Sequence, residues 1–274
     1  MFHIKERHGR NGTTSMHRCA PARLRAARPM NNTLVKGLRL LAELARSRQP
    51  LGATELAHRL ALGKSDTHRL AQTLVEQGYA RQDAATGAYR ASVRVWELGA
   101  AVLANLDLKQ AAAGPMQALL AGTRETVHLS MLDGDDVVYL DKLDSPEPVR
   151  AYTQIGGRAP AHCVATGKAL LAWQPPALLE ALAARLAPHS PNTIVAPAAF
   201  LDEMTRIRAA GFATNRGEWR ASVWGVAAPV HGPDGAVIAA VGVSGPAERL
   251  RGARLKALGA DVVSAARAIE AALG

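Results

Sequence analysis

The sequence predicts an α+β protein of two domains: a small helical module with a helix-turn-helix and a hairpin, then a larger module built on an antiparallel sheet. Three observations predict it. At 274 residues the chain is longer than one typical domain. Helical periodicity broken by a glycine-containing turn fills the stretch before residue 92, and the remainder holds two β-rich runs folded about Asp-Gly turns.

The first helix is expected over residues 33–46, with Thr33 as N-cap and Leu34, Leu38, Leu41, Leu44 and Ala45 on its inward face. Pro50 closes that segment. A second helix is expected over 53–60, turning Leu56, Ala57 and Leu60 inward. Ala61, Leu62 and Gly63 connect it to a third, over about 65–77, which buries Leu70, Leu74 and Val75. Lys64, Ser65, Thr67, His68, Arg69 and Gln72 occupy the start and outer face of this third helix. Two short helices joined by such a turn, the second opening on polar and basic groups, fit a helix-turn-helix whose second helix enters the major groove. Arg69 suits a guanine edge or a phosphate, Gln72 an adenine edge, and Ser65 and Thr67 a phosphate or a thymine methyl. Residues 79–82 and 88–92 flank Asp-Ala-Ala-Thr-Gly and read as a wing hairpin carrying Arg81 and Arg90.

Residues 93–105 place Val95, Trp96, Gly99, Val102 and Leu103 at helical spacing with few charges. Such a helix needs a partner, and Trp96 is expected to pack between protomers. A helix from Pro115 to about Gly122 leads into strands over 127–132 and 137–140. A second strand pair covers 223–230 and 236–244, and helices cover 176–186, 198–210 and 253–273.

Charge is divided unevenly. Residues 1–29 hold seven Lys/Arg against one Asp/Glu, residues 30–92 nine against five, and residues 93–274 seventeen against seventeen. The excess of +10 therefore lies wholly in the first third, as expected when one module meets a polyanion and the other does not. Residues 1–29 read as a basic, disordered extension, and Met30 is the expected start of the folded chain. No apolar run reaches 18 residues and no secretory leader is evident, so the expected location is the cytoplasm, with no membrane contact.

The motifs also exclude chemistry. Cys19 and Cys163 form no Cys-x-x-Cys pair, and there is no His-Glu-x-x-His, Gly-x-Ser-x-Gly or dinucleotide loop. No catalytic residue, metal or cofactor is expected. His162 and Cys163, read as neighbours on a strand, would point to opposite faces and could not form a base and nucleophile pair. Thr166-Gly167-Lys168 lacks the flanking glycine and hydroxyl of a phosphate loop. Its alternatives are a helix start whose free N–H groups seat a carboxylate, or a glycine that permits close helix–sheet packing.

The segment from Glu55 to Tyr79 resembles the DNA-binding domain of the IclR family of regulators. Gly157-Arg-Ala-Pro-Ala-His-Cys-Val-Ala-Thr-Gly-Lys-Ala-Leu-Leu-Ala is similar to that family's effector-domain signature. Gly211-Phe-Ala-Thr-Asn-Arg-Gly-Glu-Trp, Gly225-Val-Ala-Ala-Pro-Val and the stretch from Gly235 to Gly245 are similar to its C-terminal signature. The resemblance spans about residues 33–272. It implies a winged helix-turn-helix over 30–92, a linker helix over 93–110 and a GAF-like effector-binding domain over 111–274, assembled as a homodimer or a dimer of dimers. It further implies a near-palindromic double-stranded DNA operator, a small organic acid as effector, and repression rather than activation.

Carried over position by position, the resemblance lines the effector pocket with Ala151, Ala159, Ala165, Thr166, Asn215, Val223, Gly225 and Val243, with Gly167 beside them at the helix start. Asn215 stands where some members have aspartate, and Gly225 where many have cysteine. The small side chains imply a pocket able to take an aromatic or branched acid as well as a two- or three-carbon one. Glu218, with Trp219 and Arg220, is expected to form a structural network near it. The competing reading is a small-molecule-binding or enzymatic domain that uses its winged helix for localisation or protein interaction.

Overall fold

The computed structural model describes residues 32–104 and 107–274. The basic extension expected over 1–29 lies outside them. The chain divides into two compact units between Glu97 and Leu98, within the segment expected to be the linker helix.

The first unit holds α1 (Asn32–Arg46), α2 (Ala53–Leu60), α3 (Lys64–Glu76) and a hairpin of β1 (Ala80–Gln82) and β2 (Tyr89–Ala91). Leu51 adds a backbone bridge to Tyr89, bonded in both directions at 2.8 Å. The core gathers Leu40, Leu44, Leu51, Leu56, Leu60, Leu70, Ala71, Ala80 and Tyr89. Thr33 lies inside α1 rather than capping it. The buried stripe of α1 carries Leu40 and Leu44, whereas Leu38 is 57% exposed, so the inward face is rotated from the one expected. Leu74 and Val75 are only partly buried, and Ala71 takes the central position on α3. The turn between α2 and α3 places Ala61 in the left-handed region (φ 53°, ψ 47°). Gly63 is instead the extended N-cap of α3. The strained position thus falls on an alanine, at a cost of about 1 kcal/mol relative to glycine.

The second unit is a six-stranded antiparallel sheet of order β5-β4-β3-β8-β7-β6. Its strands are β3 (Thr126–Asp133), β4 (Asp136–Leu143), β5 (Arg158–Pro160), β6 (Ala213–Arg216), β7 (Val223–His231) and β8 (Val237–Pro246). The short β5 and β6 were not expected, because three or four residues give too few alternations to register as strands. Strand alternation splits the core into two layers. Val226, Ala228, Val230, Val241 and Val243 pack with α5 (Asp107–Thr123) and α9 (Ala253–Leu273), whereas Ala227 and Ala240 face α6 (Ala165–Leu171), α7 (Pro176–Ala183) and α8 (Pro197–Ala210).

Helix α4 (Val93–Ala104) leaves Trp96 71% and Val102 66% exposed. The helix expected to begin at Pro115 starts at Asp107 and runs through the proline. Leu108, Ala112, Met116 and Leu119 form one buried stripe against the sheet, and that packing outweighs the roughly 3 kcal/mol a mid-helix proline costs. Residues 107–110, expected in the linker helix, therefore belong to α5. Among the described residues no helix is long and apolar enough to cross a membrane.

Candidate functional site

Two sites emerge, one in each unit. On α3, Lys64, Ser65, His68 and Arg69 are exposed. Thr67 is not: it is fully buried, and its hydroxyl donates to the Gly63 carbonyl at 3.0 Å. The outer-face reading of Thr67 fails because Thr67 lies three and four residues before the buried Leu70 and Ala71 and so shares their inward face of the helix. Asp66 accepts from Lys36 at 3.2 Å and from Arg69 at 2.9 Å, and these cations hold its carboxyl below the usual range. The Arg69 side chain remains 73% exposed.

Gln72 is half-buried, and its amide donates to Gln82 Oε1 at 2.9 Å and to the Tyr89 hydroxyl at 3.1 Å. It therefore braces the hairpin against α3. The hairpin turn closes on Asp83, whose Oδ1 accepts from the Thr86 backbone at 2.8 Å and from Ala85 at 3.0 Å. Arg81 and Arg90 are direct register partners on this ribbon, and both are exposed.

In the second unit a small pocket of about 50 Å³ opens above the sheet. Of the residues the resemblance assigned to it, Ala151, Ala165, Thr166, Asn215, Val223, Gly225 and Val243 form its wall. Ala159 and Gly167 do not. Ala159 pairs with Val137 across the sheet and is buried in the α6–α8 layer. At Gly167 an added Cβ would lie 2.2 Å from the Ala161 carbonyl oxygen, so the glycine serves close backbone packing.

Sequence reasoning missed most of the polar chemistry here. His128 lines the pocket between Ser244 Oγ, which meets its Nε2, and Thr153 Oγ1, 3.2 Å from its Nδ1. Burial first, then Lys142, brings the His128 pKa down to about 4. A signal existed: Thr126, His128 and Ser130 alternate with Val127 and Leu129, a polar face on a strand whose first five residues are buried. Tyr139 and Tyr152 add aromatic wall, and burial pushes the Tyr139 hydroxyl up to about 12. Trp219 and Arg220 line the pocket directly, the exposed guanidinium lying 4.8 Å over the indole ring.

Glu218 parts company with these two neighbours. It joins a buried network in which Lys168 Nζ donates to Glu218 Oε1 at 2.7 Å and to Glu203 Oε1 at 3.1 Å. Lys168 is 1% exposed, and Arg206 pairs with the other oxygen of Glu203 at 2.8 Å. Glu218 Oε2 is buried without a hydrogen-bond partner, and burial raises the carboxyl pKa against the pull of Lys168. The Glu218 backbone N–H donates to Asn215 Oδ1 at 2.8 Å, so this network touches the pocket wall through Asn215.

His162 and Cys163 sit on a 3-10 turn, Ala161–Cys163, and not on a strand, so the alternation argument for separating them does not hold. Both are buried. His162 Nε2 donates to the Ala187 carbonyl at 3.0 Å. Burial pushes the Cys163 thiol up to about 12, with Glu218 adding to the shift, which leaves it un-ionised and weakly nucleophilic at neutral pH.

Comparison with known proteins agrees with both units. Residues 33–84 match the IclR helix-turn-helix domain, and residues 100–271 match the bacterial transcriptional regulator IclR C-terminal domain. The HTH-type transcriptional regulator KdgR of Escherichia coli is 34% identical over 247 residues, covering 89% of this chain and 93% of that protein. The acetate operon repressor of Salmonella typhimurium is 29% identical over 246 residues, covering 88% and 90%. Among solved structures, an IclR homolog from Microbacterium hydrocarbonoxydans, complexed with 4-hydroxybenzoate, superposes with a TM-score of 0.78 at 27% identity, covering 88% of this chain and 98% of that one. With a helix-turn-helix unit, an effector-binding unit and matches to both family domains in order, the chain belongs to the IclR family of DNA-binding transcriptional regulators.

Proposed function

We propose that this regulator is a repressor that binds a near-palindromic operator as a homodimer or dimer of dimers and is controlled by a small aromatic carboxylic acid. The observation that carries the effector class is the pocket's composition. Aromatic rings of Tyr139, Tyr152 and Trp219 surround an apolar space, with the Arg220 guanidinium on its rim and the His128, Thr153 and Ser244 group within it. A planar ring buried among the aromatics satisfies the first feature, and a carboxylate facing Arg220 the second. The 4-hydroxybenzoate held by the Microbacterium homolog supports the same class.

The residues proposed to face DNA are Lys64, Ser65, His68 and Arg69 on α3 and Arg81 and Arg90 on the wing. Self-association is supported by the apolar residues that α4 leaves exposed, Val93, Trp96, Leu98 and Val102. Two-fold protein symmetry would impose a two-fold operator. Repression is favoured by the acetate operon repressor among the relatives.

The test is an anisotropy titration of the full chain on DNA upstream of its own gene, with excess nonspecific competitor, at two salt concentrations. It is repeated with a panel of acids from keto acids of two and three carbons to benzoates. Saturable, salt-sensitive binding that a benzoate alters and the smallest acids leave unchanged is the expected result. A response confined to the smallest keto acids would overturn the effector class, and a footprint with one unpaired half-site would overturn the symmetry.

A further inference from the structure

Away from the pocket, His162, Cys163 and His189 each offer one donor atom, a ring nitrogen or Sγ, and these three atoms all lie within 4.8 Å of one another. They come from separate pieces of chain, the 3-10 turn before α6 and the segment between α7 and α8. We propose that this trio is a metal site of zinc type, in which the Cys163 thiolate and one nitrogen from each histidine hold a single divalent ion, with the fourth position open.

The donor set selects the ion. Two imidazoles and one thiolate suit zinc and its borderline neighbours, and exclude the oxygen-seeking magnesium and calcium. Zn–S and Zn–N bonds of about 2.3 and 2.0 Å put tetrahedral donors about 3.5 Å apart, so the trio needs to close by little more than about 1 Å. The surroundings are also arranged for the task. His162 donates Nε2–H to the Ala187 carbonyl at 3.0 Å, which assigns the lone pair to Nδ1 and orients the ring, as an outer partner of a metal ligand does.

The third ligand is accessible and braced. His189 is exposed, which provides an entry path, whereas His162 and Cys163 are buried. The His189 backbone N–H donates to Thr193 Oγ1 at 3.0 Å, and that hydroxyl donates to the Glu218 carbonyl at 2.6 Å. On binding, a sulfur–metal bond replaces the S–H bond of Cys163, the proton passes to solvent, and no oxidation state changes. The ion would clamp two segments that lead into the pocket wall, one through Val164, Ala165 and Thr166, the other through Glu218 to Trp219 and Arg220. No sequence motif reveals the trio, because His189 reaches the turn only through the fold.

The experiment uses the full chain carrying Cys19→Ser, which leaves Cys163 as its single thiol. Cobalt(II) is added as the probe and the thiolate-to-cobalt charge-transfer absorption is recorded; histidines elsewhere in the chain cannot produce that band. The expected result is saturation at one equivalent, bleaching by zinc, and cobalt affinity weakened at least about tenfold by His189→Ala. Because His189 is exposed, its replacement spares the fold, which circular dichroism verifies. Absence of the band at equimolar cobalt would overturn the site, as would a titration that His189→Ala leaves unchanged.

Discussion

Arg81 and Arg90 stand directly opposite each other across the β1–β2 hairpin, so two guanidinium groups leave the same face of a two-stranded ribbon. Like charges in that position oppose pairing of the strands unless an anion lies between them. A phosphate would supply it. Replacing either arginine by alanine should weaken DNA binding about equally on specific and nonspecific sequences and reduce the slope of log K against log salt by about one. Anisotropy at four salt concentrations measures this. A loss confined to the specific operator would instead assign the residue to base readout.

Thr67 separates folding from recognition on α3. Its buried hydroxyl bonds the Gly63 carbonyl and reaches no outer surface. Thr67→Val should cost about 1 kcal/mol in urea denaturation and leave operator affinity unchanged. The exposed Arg69→Ala should do the reverse, losing affinity with little change in stability.

Lys168 is the only cation buried between Glu203 and Glu218 among the described residues. Lys168→Met leaves two facing carboxylates without it and should cost about 3–5 kcal/mol. Adding Glu218→Gln removes one of those charges and should recover part of the loss. Denaturation of the single and double variants decides this, and equal stability of the two would show that the charges do not interact.

His128 sets a pH dependence. Its pKa of about 4 in the folded chain lies below the ordinary 6.5, so between those values the unfolded state binds more protons. Stability should therefore rise from pH 4 to 6.5 and be flat in this respect above, the full span being on the order of 3 kcal/mol. Wild type should lose more stability than His128→Gln between pH 7 and pH 4.5. By NMR the His128 ring should show no titration from pH 8 down to 5.

What the sequence by itself determined were the features set by neighbours along the chain. Residues 53–60 read as a helix and form α2, because apolar spacing and a following turn are local properties. The two long hairpins followed from β-rich runs around Asp-Gly, and most of the pocket's small residues followed from the family resemblance. The tertiary structure decided whatever depends on partners distant in sequence. Leu40 rather than Leu38 faces inward on α1 because the core around Tyr89 chooses between two apolar stripes of one helix. Pro115 sits inside a helix because the packing of α5 outweighs its local preference. Lys168 stands in a stretch readable only as a helix start, and glutamates 35 and 50 residues away make it a buried ion. His162, Cys163 and His189 are unremarkable along the chain and meet only when the segment after α7 folds back. Periodicity records which face of an element is apolar, but burial of a charge or convergence of ligands requires two elements at once, and that information exists only when the chain has closed on itself.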